Sequence, residues 1–305
     1  MTPTPIESLV RRVPAWDGRD IALAPLHGGI TNTNYIATVD GHRYVVRVPG
    51  ERTELLGIDR ANEAEAATRA AELGIAPAIV GELPGVGTLI TELVAGGHLE
   101  GQPFAQRLPQ VVGLLHAFHN SGPLKGAFPI HRVVEWHARD AASHGVVAPA
   151  AYGRLHQQSR RIEDAFAKAP TDLAPCHNDL LPANVLFDDE GGRVWLLDFE
   201  YAGMNDPCFD LGNLSVNCGF DAAAEESLLS LYFGGVTRSR WARLQLMKMM
   251  SEFREGMWAV VQQTISTLDT DFVGYAHERL ANCERLAAQP EFDIWLDDAA
   301  RGISS

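Results

Sequence analysis

Positive charge is scarce in this sequence: 25 lysines and arginines stand against 39 aspartates and glutamates, a formal net charge of −14. Nucleic-acid backbones and anionic membrane surfaces both call for clustered basic residues, so neither is expected as a partner. Long apolar runs are lacking too. No stretch reaches the roughly 18 apolar residues that a membrane span needs. The opening MTPTPIESLVRRVPAW has no apolar core of the signal-peptide kind. Cysteine is sparse, and Cys176, Cys208, Cys218 and Cys283 show neither C-x-x-C nor metal-finger spacing. Thiols so dispersed make no disulfide framework, and a reducing, cytoplasmic setting is expected. What is present is an ordinary apolar fraction of 46% over 305 residues, enough for one large domain or two lobes sharing a cleft.

The first hundred residues read as strands around one helix. Residues 21–26 are apolar and lead into the turn His27-Gly28-Gly29; residues 35–39 and 43–48 are β-rich and joined by Asp40-Gly41, a hairpin signal. Residues 59–73 are rich in alanine and glutamate, with Asp59 as N-cap and Gly74 as stop. Apolar runs at 78–83 and 87–94 complete an antiparallel sheet. After Ala95-Gly96-Gly97 the pattern becomes helical, at 107–120, 148–169, 222–233, 238–267 and 272–288. The fold class is therefore α+β. Residues 1–95 form a nucleotide-binding lobe and 96–305 a catalytic and substrate-binding lobe, with a glycine hinge between them.

The centre, CHNDLLPANVLFDDEGGRVWLLDFEYAGMNDPCFDLGN at 176–213, breaks this helical character. His177-Asn178-Asp179 is followed five positions on by Asn184, and fourteen later by Asp198 after an apolar run. Phosphoryl transfer needs a carboxylate near the acceptor hydroxyl, oxygen ligands for magnesium, and positive charge on the phosphates. Asp179, Asn184 and Asp198 supply the first two, since Asn and Asp offer hard oxygens suited to Mg²⁺. Asp210 is expected to brace the loop by accepting backbone N–H bonds, Asp206 to be a turn residue before Pro207, and His177 to orient the loop. His116 and His119, one helical turn apart, lack acidic or cysteine companions in sequence and read as packing or capping residues.

The pattern H-N-D-x-x-x-x-N followed by L-D-F-E resembles the catalytic core of the choline kinase/aminoglycoside phosphotransferase family, whose fold is protein-kinase-like. The resemblance implies an ATP- and Mg²⁺-dependent kinase in which Asp179 is the base, and Asn184 and Asp198 hold the metal. The stretch HGGITNTNYIATVDGHRYVVRV looks like the family's phosphate-covering hairpin, with Gly28 and Gly29 admitting the phosphates and Thr31 and Asn32 adding donors. Arg47 stands where related enzymes carry the strand lysine that contacts α/β-phosphates. Glu63 is its expected partner, ahead of Glu65, and Glu92 to Val94 mark the adenine hinge.

The segment FREGMWAVVQQTISTLDTDFVGYA resembles the family's C-terminal aromatic cage. It makes Trp258, Phe272 and Tyr275, with Glu200 and Tyr201, candidate substrate residues for choline or a related amino alcohol. Choline kinases tend to carry a glutamate near Asn217, which is absent here and leaves the acceptor open. Ethanolamine, an aminoglycoside met by Asp206, Asp210, Glu252 and Glu255, thiamine and a sugar are the other acceptors of this fold. A catalytically inactive nucleotide-binding module is the alternative of another class.

Overall fold

The computed structural model describes residues 5–26, 31–50, 52–83, 87–188, 190–266 and 268–302. Among them, five strands form one antiparallel sheet in the order β1-β2-β3-β5-β4: β1 Ile21–Leu26, β2 Asn32–Val39, β3 His42–Pro49, β4 Ile79–Leu83 and β5 Thr88–Glu92. Asp40 and Gly41 close the β2–β3 hairpin, with Val39 opposite His42. Both have positive φ, 51° and 81°, the conformation a two-residue hairpin turn requires. Pro25, which cannot donate to a ladder, lies in the edge strand β1.

One sheet face packs Ala37, Val39, Val46 and Ile90 under Leu9, Val10, Val13 and Trp16 of the N-terminal segment. The helix Arg60–Glu72 belongs to a second core, where Ala66, Ala67 and Ala70 join Leu89, Leu180, Val185 and Leu196. Asp59 caps that helix by accepting from Ala61 N (2.9 Å) and Asn62 N (3.3 Å). The helix thus ties the sheet to the central segment, as does the bond from Leu196 N to Ile75 O (2.8 Å).

The remaining body is helical, as the α+β reading expects. Leu108–His119, Tyr152–Lys168, Ala222–Phe233, Arg238–Ile265 and Phe272–Ala287 fall close to the expected spans. The helices Ile130–Ser143, Pro207–Asn217 and Phe292–Ala299 were not anticipated. The centre carries two short antiparallel pairs: β6 Ala174–Cys176 with β9 Gly203–Asn205, and β7 Val185–Asp188 with β8 Arg193–Leu196.

Arg238–Ile265 is the axis of the body. It is buried on nearly every face, against Ile130–Ser143, Pro207–Asn217, Phe272–Ala287 and Phe292–Ala299. A helix so enclosed should be apolar all round, yet it buries Arg243, Gln245, Glu252, Arg254 and Glu255. Burying a charge is costly unless it is paired, and these residues are: Arg243 with Asp206 (2.7 Å), Gln245 with Glu225 (2.6 Å), Glu252 with Asn282 (3.1 Å). Among the described residues, no helix is long and apolar enough to cross a membrane.

Candidate active site

Asp179 and Asn184 lie on a loop leaving β6, and the loop's shape is set by side chains around it. Asn178 has φ of +64°, a left-handed conformation that asparagine tolerates better than most residues. Its amide donates to Tyr201 O (3.0 Å), and its Oδ1 accepts from Asn205 (2.8 Å). Asp210 accepts His177 N (2.8 Å) and Asn178 N (2.7 Å) and faces His119 Nε2 (3.0 Å). Asp210 stands in the first turn of Pro207–Asn217, where the helix dipole favours a carboxylate. Asp206 is that helix's N-cap, accepting from Cys208 N (2.9 Å), rather than a simple turn residue.

His177 is fully buried and bonds Leu197 O (2.8 Å); burial pushes its imidazole down, so the neutral ring donates to the carbonyl. His119, Cys176 and Asp210 bring three potential metal donors together. The histidine spends its two nitrogens on Asp210 and on Tyr232 Oη (2.6 Å), and Asp210 spends both oxygens on the loop amides. The group is a hydrogen-bonded brace.

Asn184 closes the loop. Its Nδ2 donates to Asp179 O (2.8 Å), and its own carbonyl accepts from Leu197 N (2.8 Å), the residue before Asp198. This links the three candidate residues through the backbone. Asp198 itself has φ of +62°.

Asp179 is buried and held by Arg254, whose Nη1 donates to Oδ1 at 3.0 Å. Burial pushes the Asp179 carboxyl up to about 7; Arg254 opposes the rise, and Glu255, Asp198 and Glu200 add to it. Arg254 is only 1% exposed. It also pairs with Glu255 and lies over the Tyr201 ring, 4.2 Å from its centroid. That stacking explains how a guanidinium is housed whose Nε and Nη2 have no hydrogen-bond partner among the described residues. No sequence motif marked Arg254; a charged residue inside an otherwise buried helical pattern was the available signal.

On the sheet side, Arg47 of β3 pairs with both Glu63 and Asp198. Glu65 instead engages Arg69 (3.2 Å), one turn along the same helix. Arg60, also unmarked in the sequence, meets Glu63 (2.6 Å), Thr53 (2.9 Å), Asn32 (3.3 Å) and Glu200 (3.4 Å). Asn32 completes the network by donating to Glu200 (2.9 Å). Glu200 therefore does not join the aromatic candidates, as expected from sequence, but turns toward Asn32 and Arg60. The physical reason is charge: a buried carboxylate settles where cations and amides can satisfy it. Gly28 and Gly29 lie outside the described residues.

At the hinge, Glu92 is exposed and its N–H is spent on Ala78 O (2.9 Å). Neither backbone group of Val94 bonds to backbone among the described residues, which leaves an edge of the kind that adenine can use. Gly97 then pairs with Phe187 in both directions at 2.9 Å. Gly96 makes that crossing with φ of +149°, and a Cβ there would meet Leu186 Cγ at 2.7 Å and Phe187 O at 2.9 Å.

The aromatic candidates do gather. Trp258 donates from Nε1 to Tyr201 Oη (2.9 Å) and meets Phe272 and Tyr275 edge-on, with centroids 6.0 and 6.3 Å away. Tyr275 Oη donates to Glu255 Oε2 (3.3 Å). The result is two linked groups about Asp179: charged and amide residues beside Arg47, and aromatic residues beside Glu255.

Residues 22–246 match the model of a family described as a phosphotransferase enzyme family. The chain is 28% identical to ethanolamine kinase 2 of Mus musculus over 306 residues, covering 88% of this chain and 77% of that protein. It superposes on a choline/ethanolamine kinase family protein from Mesorhizobium loti with a TM-score of 0.82 and 31% identity, covering 97% of this chain and 98% of that one. It also shares its fold with choline kinase LicA from Streptococcus pneumoniae, at a TM-score of 0.78 and 23% identity, covering 93% and 99%.

Proposed function

Since the chain belongs to the phosphotransferase enzyme family, we propose that it moves the γ-phosphoryl group of ATP onto the hydroxyl of choline or a related amino alcohol, with Asp179 as base. The observation that carries this reading is the placement of a buried, Arg254-held Asp179 on the loop that also presents Asn184, beside Asp198 and Arg47. An amino alcohol has a hydroxyl to be phosphorylated and a cation to be recognised. The two groups of residues about Asp179 match those two ends.

Asn184 and Asp198 fit a magnesium ion. The Asn184 amide is committed through Nδ2 to the Asp179 carbonyl, which leaves Oδ1 for a cation, and Asp198 adds a carboxylate. When bound there, Mg²⁺ neutralises charge on the phosphates. Arg47, anchored by Glu63, places a guanidinium beside Asp198 for the same phosphates.

Asp179 orients the acceptor hydroxyl and takes its proton as that oxygen bonds to the γ-phosphorus and the bond from that phosphorus to the bridging oxygen breaks, releasing ADP. A carboxyl pushed up to about 7 suits that task, because a general base works best with a pKa near the working pH. Arg254 draws the carboxyl toward its charged form and holds its Oδ1. Trp258, Phe272 and Tyr275 offer aromatic faces to the substrate's cation.

The test is ATP turnover by purified protein with Mg²⁺ and a panel of choline, ethanolamine, thiamine, kanamycin and glucose. Selective turnover with an amino alcohol supports the reading. Selective turnover with kanamycin or glucose would discard the acceptor and keep the transfer chemistry.

A further inference from the structure

The aromatic group near Asp179 contains a carboxylate with one lightly engaged oxygen. Glu255 is 5% exposed and sits one helical turn before Trp258 on Arg238–Ile265. Its two oxygens have different surroundings. Oε1 pairs with Arg254, the same guanidinium that holds Asp179. Oε2 accepts from Tyr275 Oη at 3.3 Å, on the aromatic side. Burial, and then the Glu255 charge, push the Tyr275 hydroxyl up, so it stays a neutral donor. One guanidinium between two carboxylates leaves this trio a formal charge of −1. Glu252, one turn earlier, does not share the role, since Asn282 (3.1 Å) and Arg279 (3.4 Å) occupy its carboxylate.

The two kinds of amino-alcohol cation differ in what they ask of such a place. A quaternary ammonium has no N–H, so it takes from aromatic faces their cation–π attraction and from a carboxylate only charge, never a hydrogen bond. A primary, secondary or protonated tertiary ammonium is more strongly hydrated, and must replace lost water with acceptors when it is buried. A carboxylate oxygen with one weak 3.3 Å contact is such an acceptor.

We propose that Glu255 is a specificity-determining residue that selects an acceptor bearing at least one N–H on its cationic nitrogen, a primary, N-monomethyl or N,N-dimethyl amino alcohol in its protonated form, over the quaternary one. This deepens the function proposed above and rests on it. The pairing of Arg254 with Oε1 leaves Oε2 turned toward Tyr275.

The experiment is kcat/KM for ethanolamine, N-methylethanolamine, N,N-dimethylethanolamine and choline, with wild type and Glu255→Gln. Each hydrogen bond to a charged group carries roughly a tenfold to hundredfold factor. Wild type is therefore expected to favour ethanolamine over choline by that factor, and Glu255→Gln to compress the ratio toward one. If Glu255→Gln proves unstable in urea, Tyr275→Phe gives the second reading: it frees Oε2 from its hydroxyl and preserves or widens the preference. A wild-type preference for choline, or a Glu255→Gln variant that lowers all four substrates by one common factor, would overturn the selection by Glu255 while leaving phosphoryl transfer in place. Absence of transfer to all four would overturn the acceptor class and this inference with it.

Discussion

Replacing Arg254 with methionine keeps most of the side-chain volume and removes one charge from between two buried carboxylates. The wild-type guanidinium is 3.0 Å from Asp179 Oδ1, pairs with Glu255, and is almost fully enclosed. Removing one partner of a buried ion pair destabilises a protein by about 3–5 kcal/mol, because the remaining charge has lost both water and its counterion. Here the cost depends on pH. Burial already raises the Asp179 carboxyl from 3.8 to about 7, against the opposing pull of Arg254. Without that pull the folded-state value rises further, at about 1.4 kcal/mol for each unit. A carboxyl raised on folding favours the folded state in its protonated form, and that contribution is lost as pH climbs toward the folded value. The deficit of Arg254→Met should therefore be largest at pH 8.5 and clearly smaller at pH 6, where Asp179 is protonated in both proteins.

Urea unfolding at the two pH values measures this difference, and kcat/KM against pH should show the acid limb moved upward by at least about one unit. A deficit below about 1 kcal/mol at both pH values, with an unmoved limb, would refute the idea that Arg254 sets the charge state of Asp179.

Two further outcomes follow from the same geometry. Glu63→Gln should leave Arg47 without its charged anchor and raise the KM for ATP by about tenfold, and, because Glu63 is buried between Arg47 and Arg60, cost about 3–5 kcal/mol of stability, read from initial rates and urea unfolding. An unchanged KM would separate Arg47 from the nucleotide. Asp210→Asn replaces a two-oxygen acceptor by an amide with one, so one of the His177 and Asn178 N–H groups is left unpaired. About 1–3 kcal/mol of stability should be lost together with turnover, while exchange protection of those amides falls.

The sheet was legible because its signals are local. Asp40-Gly41 forces a hairpin by backbone conformation alone, and Asp59 caps the next helix through an amide two residues on. The chemistry of the centre was legible because Asp179, Asn184 and Asp198 are few, polar and fixed in spacing. The helix Ile130–Ser143 buries a stripe through Ile130, Val133, Val134, His137 and Ala141, but its exposed polar face dominates the composition and masks the period. Pro207–Asn217 was hidden by aspartate, glycine and asparagine, although Asp206-Pro207 is an N-cap followed by proline at the first helical position.

Arg254 and Arg60 were beyond such reading. Arg254 reaches Asp179, 75 residues away in the chain, and Arg60, besides its near neighbour Glu63, reaches Glu200, 140 residues away; only tertiary packing reveals these distant pairings. Glu200 and Tyr201 show the same limit: adjacent in sequence, they serve opposite sides of the site, because successive side chains here leave the backbone in different directions.

The most direct measurement is phosphorus NMR of ATP, Mg²⁺ and ethanolamine or choline incubated with wild type and with Asp179→Asn, at matched nucleotide occupancy. Wild type should produce a phosphomonoester of the amino alcohol and ADP in equal amounts. Asp179→Asn should bind ATP as before, stay folded, and slow product formation by about 10²–10⁴-fold. An Asp179→Asn variant that makes the phosphomonoester at the wild-type rate would contradict the assignment of the base.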